Sequence, residues 1–280
     1  MSEYKSFYKT VSGNEGQKCH YATRLDTYGR GCAHNCEYCY ARSLLEFRGC
    51  WNPYDPAVAD INKIKRVLNK IPKGTIIRLG GMTDCMQPCE HERRVTYETI
   101  KAMNERGIGY LIVTKSAMIA DDDYVNIMDK DLAHIQASIT STSDEIALKY
   151  EKASPVSQRI KAIEKLQALG FDVQIRLSPY IPEFIDIDVI NNIKCDKILV
   201  EFLRSNGFIR NTFKQVDYAP YTVKQSGYRH LPLEKKKELL SKITIKEVSV
   251  CEDETEAYEY FVHHFNHDPE DCCNLRKSVG

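Results

Sequence analysis

The sequence predicts an α/β fold, a partial (β/α)6 barrel of the TIM type with a C-terminal extension. Two observations support this prediction. Short runs rich in Ile, Val and Leu, typical of strands covered on both faces, alternate with longer amphipathic stretches. The runs recur about 25 to 38 residues apart, which is the spacing of repeated βα units. A closed barrel needs eight units, and the chain is too short for eight units plus its tail.

The strand predictions follow the apolar runs in chain order. A first strand is expected near residues 23–28. Five more complete the six units, and the expected ranges are 75–79, 110–114, 134–140, 172–177 and 197–202. One further run, 247–251, has the same character but lies in the extension.

The clearest predicted helix follows Ser154 and Pro155, as N-cap and first helical residue, and closes at Gly170. Its apolar residues recur every three or four positions, at Val156, Ile160, Ile163, Leu166 and Leu169. Further helices are expected over 88–106 and 55–71. The organisation we predict is a lead-in (1–21), a barrel core (22–205) and an extension packed on the core (206–280).

Composition limits the class of partner. Lys plus Arg and Asp plus Glu are 39 each in a chain of 280 residues, so no global charge favours nucleic acid or an acidic membrane. Residues 1–5 lack the apolar core of a signal peptide, and no run approaches 18 apolar residues. We therefore expect a cytoplasmic protein with no membrane partner. The basic residues predicted on one outer helix read as a solvated face, and they are Lys63, Lys65, Arg66, Lys70 and Lys73.

Eleven cysteines in such a chain favour metal binding or redox chemistry over disulfides. Cys32, Cys36 and Cys39 lie directly after the first predicted strand, at C-x3-C-x2-C spacing. Thiolates at this spacing suit zinc or an iron–sulfur cluster. A zinc site would take His34, His20 or a distant cysteine as its fourth ligand. Because the second C-x2-C pair common in zinc sites is missing, the spacing favours iron–sulfur.

The C-x3-C-x2-C motif, with aromatic Tyr38 directly before its third cysteine, resembles that of the radical S-adenosylmethionine (SAM) superfamily. The resemblance implies a [4Fe–4S] cluster on Cys32, Cys36 and Cys39, with one iron left for SAM. An electron from the cluster cleaves SAM, and the resulting 5′-deoxyadenosyl radical abstracts a substrate hydrogen. It also implies that Tyr38 packs near the adenine and that a flavodoxin- or ferredoxin-type protein supplies the electron.

Later motifs resemble the spore photoproduct lyase-like branch, whose members are often labelled DNA repair photolyases. The similarity covers roughly residues 22–205 and rests on Gly80-x-x-Thr83-Asp84-x-x-Gln87-Pro88, Thr114-Lys115-Ser116, Ser138-Ile139-Thr140, Tyr150-Glu151-x-x-x-Pro155 and Ser178-Pro179-Tyr180-Ile181-Pro182. It implies a glycine-rich turn for the SAM amino group, Lys115 at the SAM carboxylate and Ser138 at the ribose. The cofactor-binding residues expected besides Tyr38 are Gly80, Gly81, Thr83, Asp84, Lys115, Ser138, Arg176 and Ser178.

Cys85 is the candidate catalytic thiol. In spore photoproduct lyase a cysteine near this strand end returns a hydrogen atom to the product radical. Here Gly81 occupies the matching position and Cys85 lies close by. The hypothesis is therefore that Cys85 donates the hydrogen, and the alternative is a packed thiol.

The extension holds further metal-ligand types. Cys251, Cys272 and Cys273 suit an auxiliary cluster, whereas His263, His264 and His267 suit zinc. The alternative is a set of buried thiols beneath a helix over 258–265. Beside the sixth strand, Arg204 and Asn206 are candidates for substrate contact. The tyrosines that follow are suited to radical relay or to stacking on a base, and the alternative is aromatic packing of a small extension. They are Tyr218, Tyr221 and Tyr228, and His230 follows them.

Three functions follow from these residues. The first is a radical SAM enzyme acting on a nucleic acid or nucleobase-like substrate. The second is a radical SAM enzyme acting on a peptide or small molecule, which shares every cofactor residue. The third is a non-catalytic zinc-binding module, which predicts a colourless protein that leaves SAM intact.

Overall fold

The computed structural model describes residues 8–12 and 16–275. Residues 1–7 and 13–15 of the predicted lead-in, with the expectation drawn from residues 1–5, lie outside the described residues. The described strands, in chain order, are β1 (Tyr8–Thr10), β2 (Thr23–Leu25), β3 (Tyr28–Gly29), β4 (Ala57–Val58), β5 (Ile76–Leu79), β6 (Gly109–Thr114), β7 (Ala133–Ile139), β8 (Asp172–Tyr180), β9 (Lys197–Phe202), β10 (Val223–Gln225), β11 (Tyr228–His230) and β12 (Glu247–Val250).

The described helices lie mostly in the crossovers between parallel strands. They are α1 (Tyr40–Phe47), α2 (Ile61–Leu68), α3 (Glu90–Arg93), α4 (Val95–Asn104), α5 (Asp122–Ile127), α6 (Asp144–Leu148), α7 (Val156–Ala168), α8 (Ile187–Asn191), α9 (Gly207–Thr212), α10 (Leu233–Leu240) and α11 (Thr255–His264). No helix in the described part of the chain combines the length and apolarity needed to cross a bilayer.

The central sheet has eight strands in the order β1-β2-β5-β6-β7-β8-β9-β12. From β2 to β12 every neighbouring pair is parallel, whereas β1 is antiparallel to β2 at one edge. The predicted partial barrel is confirmed. The strand predicted in the extension pairs with β9, so the extension adds a seventh parallel strand to the six of the predicted core.

Several predicted boundaries differ from the structure. The helix expected over 88–106 is two helices, because Arg94 has a left-handed φ of 54° between them. The helix expected over 55–71 begins only after Asp60, whose carboxylate accepts hydrogen bonds from two backbone amides of α2. Ser154 is not the N-cap of α7: Pro155 takes that place, and Ser154 Oγ accepts a hydrogen bond from the Ala117 amide instead.

The two faces of the parallel sheet differ in chemistry. Residues alternate between the faces, and the outward set is apolar and packs beneath the helices, with Ile77, Ile112, Ile135, Ile175 and Val200 among its members. The inward set is largely polar, as the register of β7 on β8 illustrates, where Ser138 pairs with Arg176. The polar face therefore lines an interior in which ligands can bind.

The end of the extension fills this interior near the amino ends of the strands. Cys272, Cys273 and Leu275 pack against Leu111, with Ile76 nearby. Their backbone is held by barrel side chains: Gln174 Nε2 donates to the Cys273 carbonyl at 2.8 Å, and Lys197 Nζ donates to the Asn274 carbonyl at 3.2 Å. The opposite half of the interior, at the carboxyl ends of the strands, is left open, where barrel enzymes place their sites.

Candidate active site

The three-cysteine loop, residues 30–39, connects β3 to α1. Cys39 is the N-cap of α1, and the Arg42 amide donates to its Sγ at 3.4 Å. The amino end of a helix carries partial positive charge, so it stabilises a thiolate at this position. The loop is compact because Arg30 and Asn35 adopt positive φ angles of 58° and 42°.

The segment after β5 braces the loop. Thr83 Oγ1 donates to the Tyr28 carbonyl at 2.6 Å, and Gln87 Oε1 accepts from the Ala33 amide at 3.0 Å. Asp84 Oδ2 lies 3.2 Å from His34 Nε2. Residues that the resemblance assigned to SAM therefore position the cysteine loop in this structure.

Asp84 also joins the loop to β6. Its carboxylate accepts from the Thr114 hydroxyl at 2.8 Å and from the Lys115 amide at 2.7 Å. Burial is the largest single influence and raises the pKa of Asp84, but His34 and the backbone donors outweigh it and lower the pKa to about 2. The ionised Asp84 carboxylate thus connects the cysteine loop to the end of β6, directly before Lys115.

A buried ion pair lies behind the loop. Glu151 and Arg159 are in contact, and each side chain is 1 % exposed. Glu151 also accepts the hydroxyl of Tyr38 and lies 3.9 Å from Cys36 Sγ, while Arg159 Nη1 donates to the Ser138 carbonyl at 2.8 Å. The pair therefore fixes Tyr38 and Ser138 relative to the loop. Only the Glu151 part of it appeared in the sequence motifs, and Arg159 was missed.

A cavity opens beside Cys39 at the carboxyl ends of the strands. It brings together five of the residues predicted to bind SAM, namely Tyr38, Lys115, Ser138, Arg176 and Ser178. These residues come from the three-cysteine loop and from the carboxyl ends of three consecutive strands, β6, β7 and β8. Their convergence was expected from the parallel topology, and their assignment to SAM stays a prediction.

The other predicted residues lie behind this cavity. Gly80, Gly81, Thr83, Asp84 and Cys85 are not among its lining residues. Gly80 has a φ of +79°, and a Cβ on Gly81 would come within 2.2 Å of Arg24 Cδ, so both glycines are needed for the turn. The Cys85 side chain is fully buried. Its hydrogen-donor role stays a prediction.

Several lining residues were missed because they come from inside strands or from the extension. Glu201 in β9 pairs with Arg176 at 2.5 Å and accepts from Ser178 Oγ at 2.7 Å. Burial raises its pKa, but Arg176 and other cations outweigh burial and lower the pKa to about 2. The signal that could have found them is a charged residue within an otherwise apolar strand, such as Arg78 or Glu201.

The acidic residues of the extension are also committed to ion pairs. Glu252 contacts Lys236 at 2.5 Å, and Asp253 contacts Arg204. With His230 they form the one described group of three potential metal ligands whose donor atoms all lie within 4.8 Å of one another. Because both carboxylates already face cations, this group is better described as a wall of the cavity than as a metal site.

The loop thiols fit a cluster better than a single zinc ion. Zn–S bonds of about 2.3 Å bring the thiolates of one zinc to about 3.8 Å from one another. The loop cysteines do not form a set within 4.8 Å, and separate iron atoms hold thiolates farther apart. Burial raises the pKa of Cys32 to about 12 and raises that of Cys36, so cationic metal is what makes these thiols good ligands.

The fold and the site define an α/β partial barrel with a three-thiol loop at the carboxyl end of its strands. A family model described as Radical SAM superfamily matches residues 27–194, more than half of the chain. The chain belongs to the radical SAM superfamily, a superfamily of enzymes. The non-catalytic zinc module is therefore set aside.

The sequence relatives include two proteins described as uncharacterised. A protein of Methanocaldococcus jannaschii is 30 % identical over 167 residues, covering 57 % of this chain and 61 % of that protein. One from Mycobacterium bovis is 26 % identical over 168 residues, covering 56 % and 49 %. The chain thus spans about half to three-fifths of the length of these relatives.

Solved structures share the fold. Spore photoproduct lyase in complex with a dinucleoside spore photoproduct superposes with a TM-score of 0.62 at 15 % identity, covering 88 % of this chain and 79 % of that one. Streptococcus suis SuiB bound to its precursor peptide SuiA gives a TM-score of 0.56 at 15 % identity, with 84 % and 50 % covered. At these identities the likeness concerns the fold alone.

Proposed function

We propose that this protein cleaves SAM reductively and directs the resulting radical to a nucleobase-like substrate. The observation that carries the proposal is the cavity beside Cys39, which gathers Tyr38, Lys115, Ser138 and Ser178. A [4Fe–4S] cluster on Cys32, Cys36 and Cys39 supplies, when bound, the electron for cleavage. A flavodoxin- or ferredoxin-type protein is the proposed electron donor.

The lining residues offer SAM one positive charge, from Lys115, and hydroxyl groups from two serines. The Lys115 ammonium lies 5.5 Å from the centre of the Tyr38 ring and suits the SAM carboxylate. Ser138 and Ser178 offer hydroxyls to a ribose. Arg176 is neutralised by Glu201, so this pair contributes a polar wall of little net charge rather than a second anion site.

The mouth of the cavity supports a flat aromatic substrate. Tyr40 lines both the cavity and an open outer groove that also contains Asn206, Phe208 and Tyr228. The Arg204 guanidinium lies over the rings of Tyr40 and Tyr228, at 5.4 and 5.2 Å from their centres. Aromatic and guanidinium planes stack on nucleobases, typically contributing about 1–3 kcal/mol per base.

The charge balance points to a short substrate rather than a long duplex. A net charge of zero provides little of the counterion release on which duplex binding depends. A nucleotide, a dinucleotide or an unpaired base satisfies both the stacking surface and the charge balance.

SAM cleavage is tested first. The protein is reconstituted anaerobically with iron and sulfide, reduced with dithionite and given SAM, and 5′-deoxyadenosine is quantified. We expect product with the native chain and with Cys195→Ala, and background levels with Cys36→Ala. Cys195 is a matched buried thiol whose Sγ faces the Val173 and Lys197 carbonyls, away from the loop. Intact SAM with a fully loaded native protein would reject the proposal.

The substrate class is tested with the same readout. Dinucleotides, including ultraviolet-irradiated thymine dinucleotides, and a pool of short peptides are added separately. We expect nucleotides to increase the rate of 5′-deoxyadenosine formation, and Tyr40→Leu to weaken that increase. Stimulation by peptides alone would replace the nucleobase assignment with a peptide substrate and leave SAM cleavage intact.

A further inference from the structure

Four cysteines from three distant segments meet inside the barrel. The Cys272 amide donates at 3.3 Å to Nδ1 of His20, the neighbour of Cys19 in the chain, and the Sγ atoms of Cys272 and Cys273 are 4.0 Å apart. Cys251, directly after β12, lines one cavity with Cys19 and a second cavity with Cys272. We call Cys19, Cys251, Cys272 and Cys273 the lumen cysteines.

The lumen cysteines connect the open cavity, which Cys19 and Cys251 line, to the docked end of the extension, which contains Cys272 and Cys273. Cys19 and Cys251 line the cavity beside Lys115 and Arg176. Cys251 and Cys272 together line a second, small cavity behind it. Cys272 and Cys273 are 4 % and 5 % exposed. A group bound to these thiols would therefore adjoin the open cavity through Cys19 and Cys251.

Two arginines surround this thiol group. Arg78 and Arg176 line the same cavity as Cys19 and Cys251. The Arg78 Nε is buried and has no hydrogen-bond partner. Glu201, which lines the same cavity, is paired with Arg176. Several thiolates grouped in a buried space need such cations, and a buried donor without a partner calls for an acceptor at this place.

We propose that the lumen cysteines bind a second iron–sulfur cluster. The donor set is purely thiolate, which suits iron–sulfur or zinc among common metals. A single zinc ion would need at least three donor atoms close together, whether from these thiols or from a nearby His, Asp or Glu, and sulfurs on one zinc lie about 3.8 Å apart. No three such donors that include one of these thiols lie within even 4.8 Å of one another among the described residues, whereas a multi-iron cluster bridges a wider set. The site does not depend on the proposed function, because it uses none of the loop cysteines.

The cluster would face the SAM cavity through Cys19 and Cys251, with the unpartnered Arg78 Nε available to an inorganic sulfide. The docked end of the extension would then position two of the ligands, Cys272 and Cys273. Gln174 and Lys197 hold it there by donating hydrogen bonds to the backbone carbonyls of residues 273 and 274.

The test removes the loop cluster first. The triple variant Cys32→Ala/Cys36→Ala/Cys39→Ala is reconstituted anaerobically, and iron, acid-labile sulfide and Mössbauer spectra are measured. We expect iron and sulfide to remain in about equal amounts, with the spectrum of a cluster. On that background Cys272→Ser/Cys273→Ser should lose the iron, and Cys195→Ala should keep it.

A folding control accompanies these variants, because the end of the extension is packed in the core. Cys19→Ser changes a thiol in the lead-in, and it too should lower the bound iron, with the circular dichroism melting curve unchanged. Absence of iron from the triple variant, or zinc bound in its place, would overturn the proposal. Equal iron loss in the Cys195→Ala control would overturn it as well. None of these outcomes bears on SAM cleavage, since the triple variant cannot perform it.

Discussion

The loop cysteines are close together in the sequence, whereas the lumen cysteines are brought together only by the fold. The loop cysteines lie within one eight-residue segment, Cys32 to Cys39, so their spacing alone indicates a metal centre. Cys19 and Cys272 are separated by most of the chain and meet only because the extension docks into the barrel. Local spacing therefore reveals one centre, while the other becomes visible only in the fold.

The surroundings of the two groups differ as well. A buried carboxylate, Glu151, lies 3.9 Å from Cys36 Sγ and is neutralised by Arg159. Cys19 and Cys251 of the lumen group instead share a cavity with Arg78, whose Nε has no hydrogen-bond partner in the described part of the chain, and with Arg176, which is paired with Glu201. The loop thus depends on an ion pair behind it, whereas the lumen group draws on cations of the barrel wall.

The largest expected effect concerns that ion pair. Glu151→Ala leaves Arg159 buried without its partner, which typically costs about 3–5 kcal/mol of unfolding free energy. Urea unfolding of the two chains measures the difference. The matched control is Glu145→Ala, which removes an exposed pair with Lys149 and should cost under about 1 kcal/mol. Equal costs for the two variants would show that the loop has no special support.

The second prediction sharpens the assignment of the cavity. Lys115→Ala should weaken SAM binding roughly 10- to 100-fold, because a hydrogen bond to a charged group contributes about 1.5–3 kcal/mol. Lys115→Arg should recover part of the affinity, and Lys149→Ala should leave it unchanged. Equilibrium dialysis with radiolabelled SAM on the anaerobic protein measures all four chains. Unaltered SAM binding in Lys115→Ala would show that Lys115 does not bind the SAM carboxylate.

The third prediction concerns the docking of the extension. Asp172 contacts His134 at 2.5 Å and Lys197 at 3.0 Å, and Lys197 holds the Asn274 carbonyl. Burial raises the pKa of Asp172, but His134 and Lys197 outweigh it and lower the pKa below its ordinary value of 3.8. The stabilisation is therefore fully present above about pH 4 and is lost as pH falls below that.

Asp172→Asn should accordingly flatten the acid limb of the stability curve, measured as unfolding free energy from pH 6 down to pH 3. Asp188→Asn, an exposed helix-end change, serves as the control. If the unfolding free energy of Asp172→Asn falls with pH as steeply as that of the native chain, the Asp172–Lys197 pair does not stabilise the docked extension.

The smallest expected effect belongs to Cys85. Its thiol is fully buried, so Cys85→Ala should cost roughly 1 kcal/mol of stability. Product analysis by mass spectrometry tests its predicted role as hydrogen donor. A changed product is expected if Cys85 returns the hydrogen atom, and an unchanged product would leave it a packed thiol.

Much of this site could be predicted because its chemistry follows strand order. The loop cysteines, Lys115, Ser138, Arg176 and Ser178 come from successive strand ends, and parallel strands gather those ends at one edge. Family resemblance placed Asp84 on SAM, but the identity of the residue says nothing of the direction in which its carboxylate faces.

What could not be predicted depends on contacts distant in sequence. Arg159 becomes important only because α7 places it beneath Glu151, and Cys19 only because the lead-in passes Cys272. Helix boundaries at Arg94 and Asp60 depended on single-residue geometry and capping rather than on apolar periodicity. Long-range packing is therefore what the sequence pattern leaves open.

The most direct test of the central claim, that the loop cysteines hold the centre at which SAM binds, is electron paramagnetic resonance of the reduced protein. Spectra are recorded with and without SAM for the native chain and for Cys36→Ala. We expect SAM to change the signal of the native protein and to change no signal in Cys36→Ala. A native spectrum that is identical with and without SAM, at full reduction and cluster loading, would contradict the account.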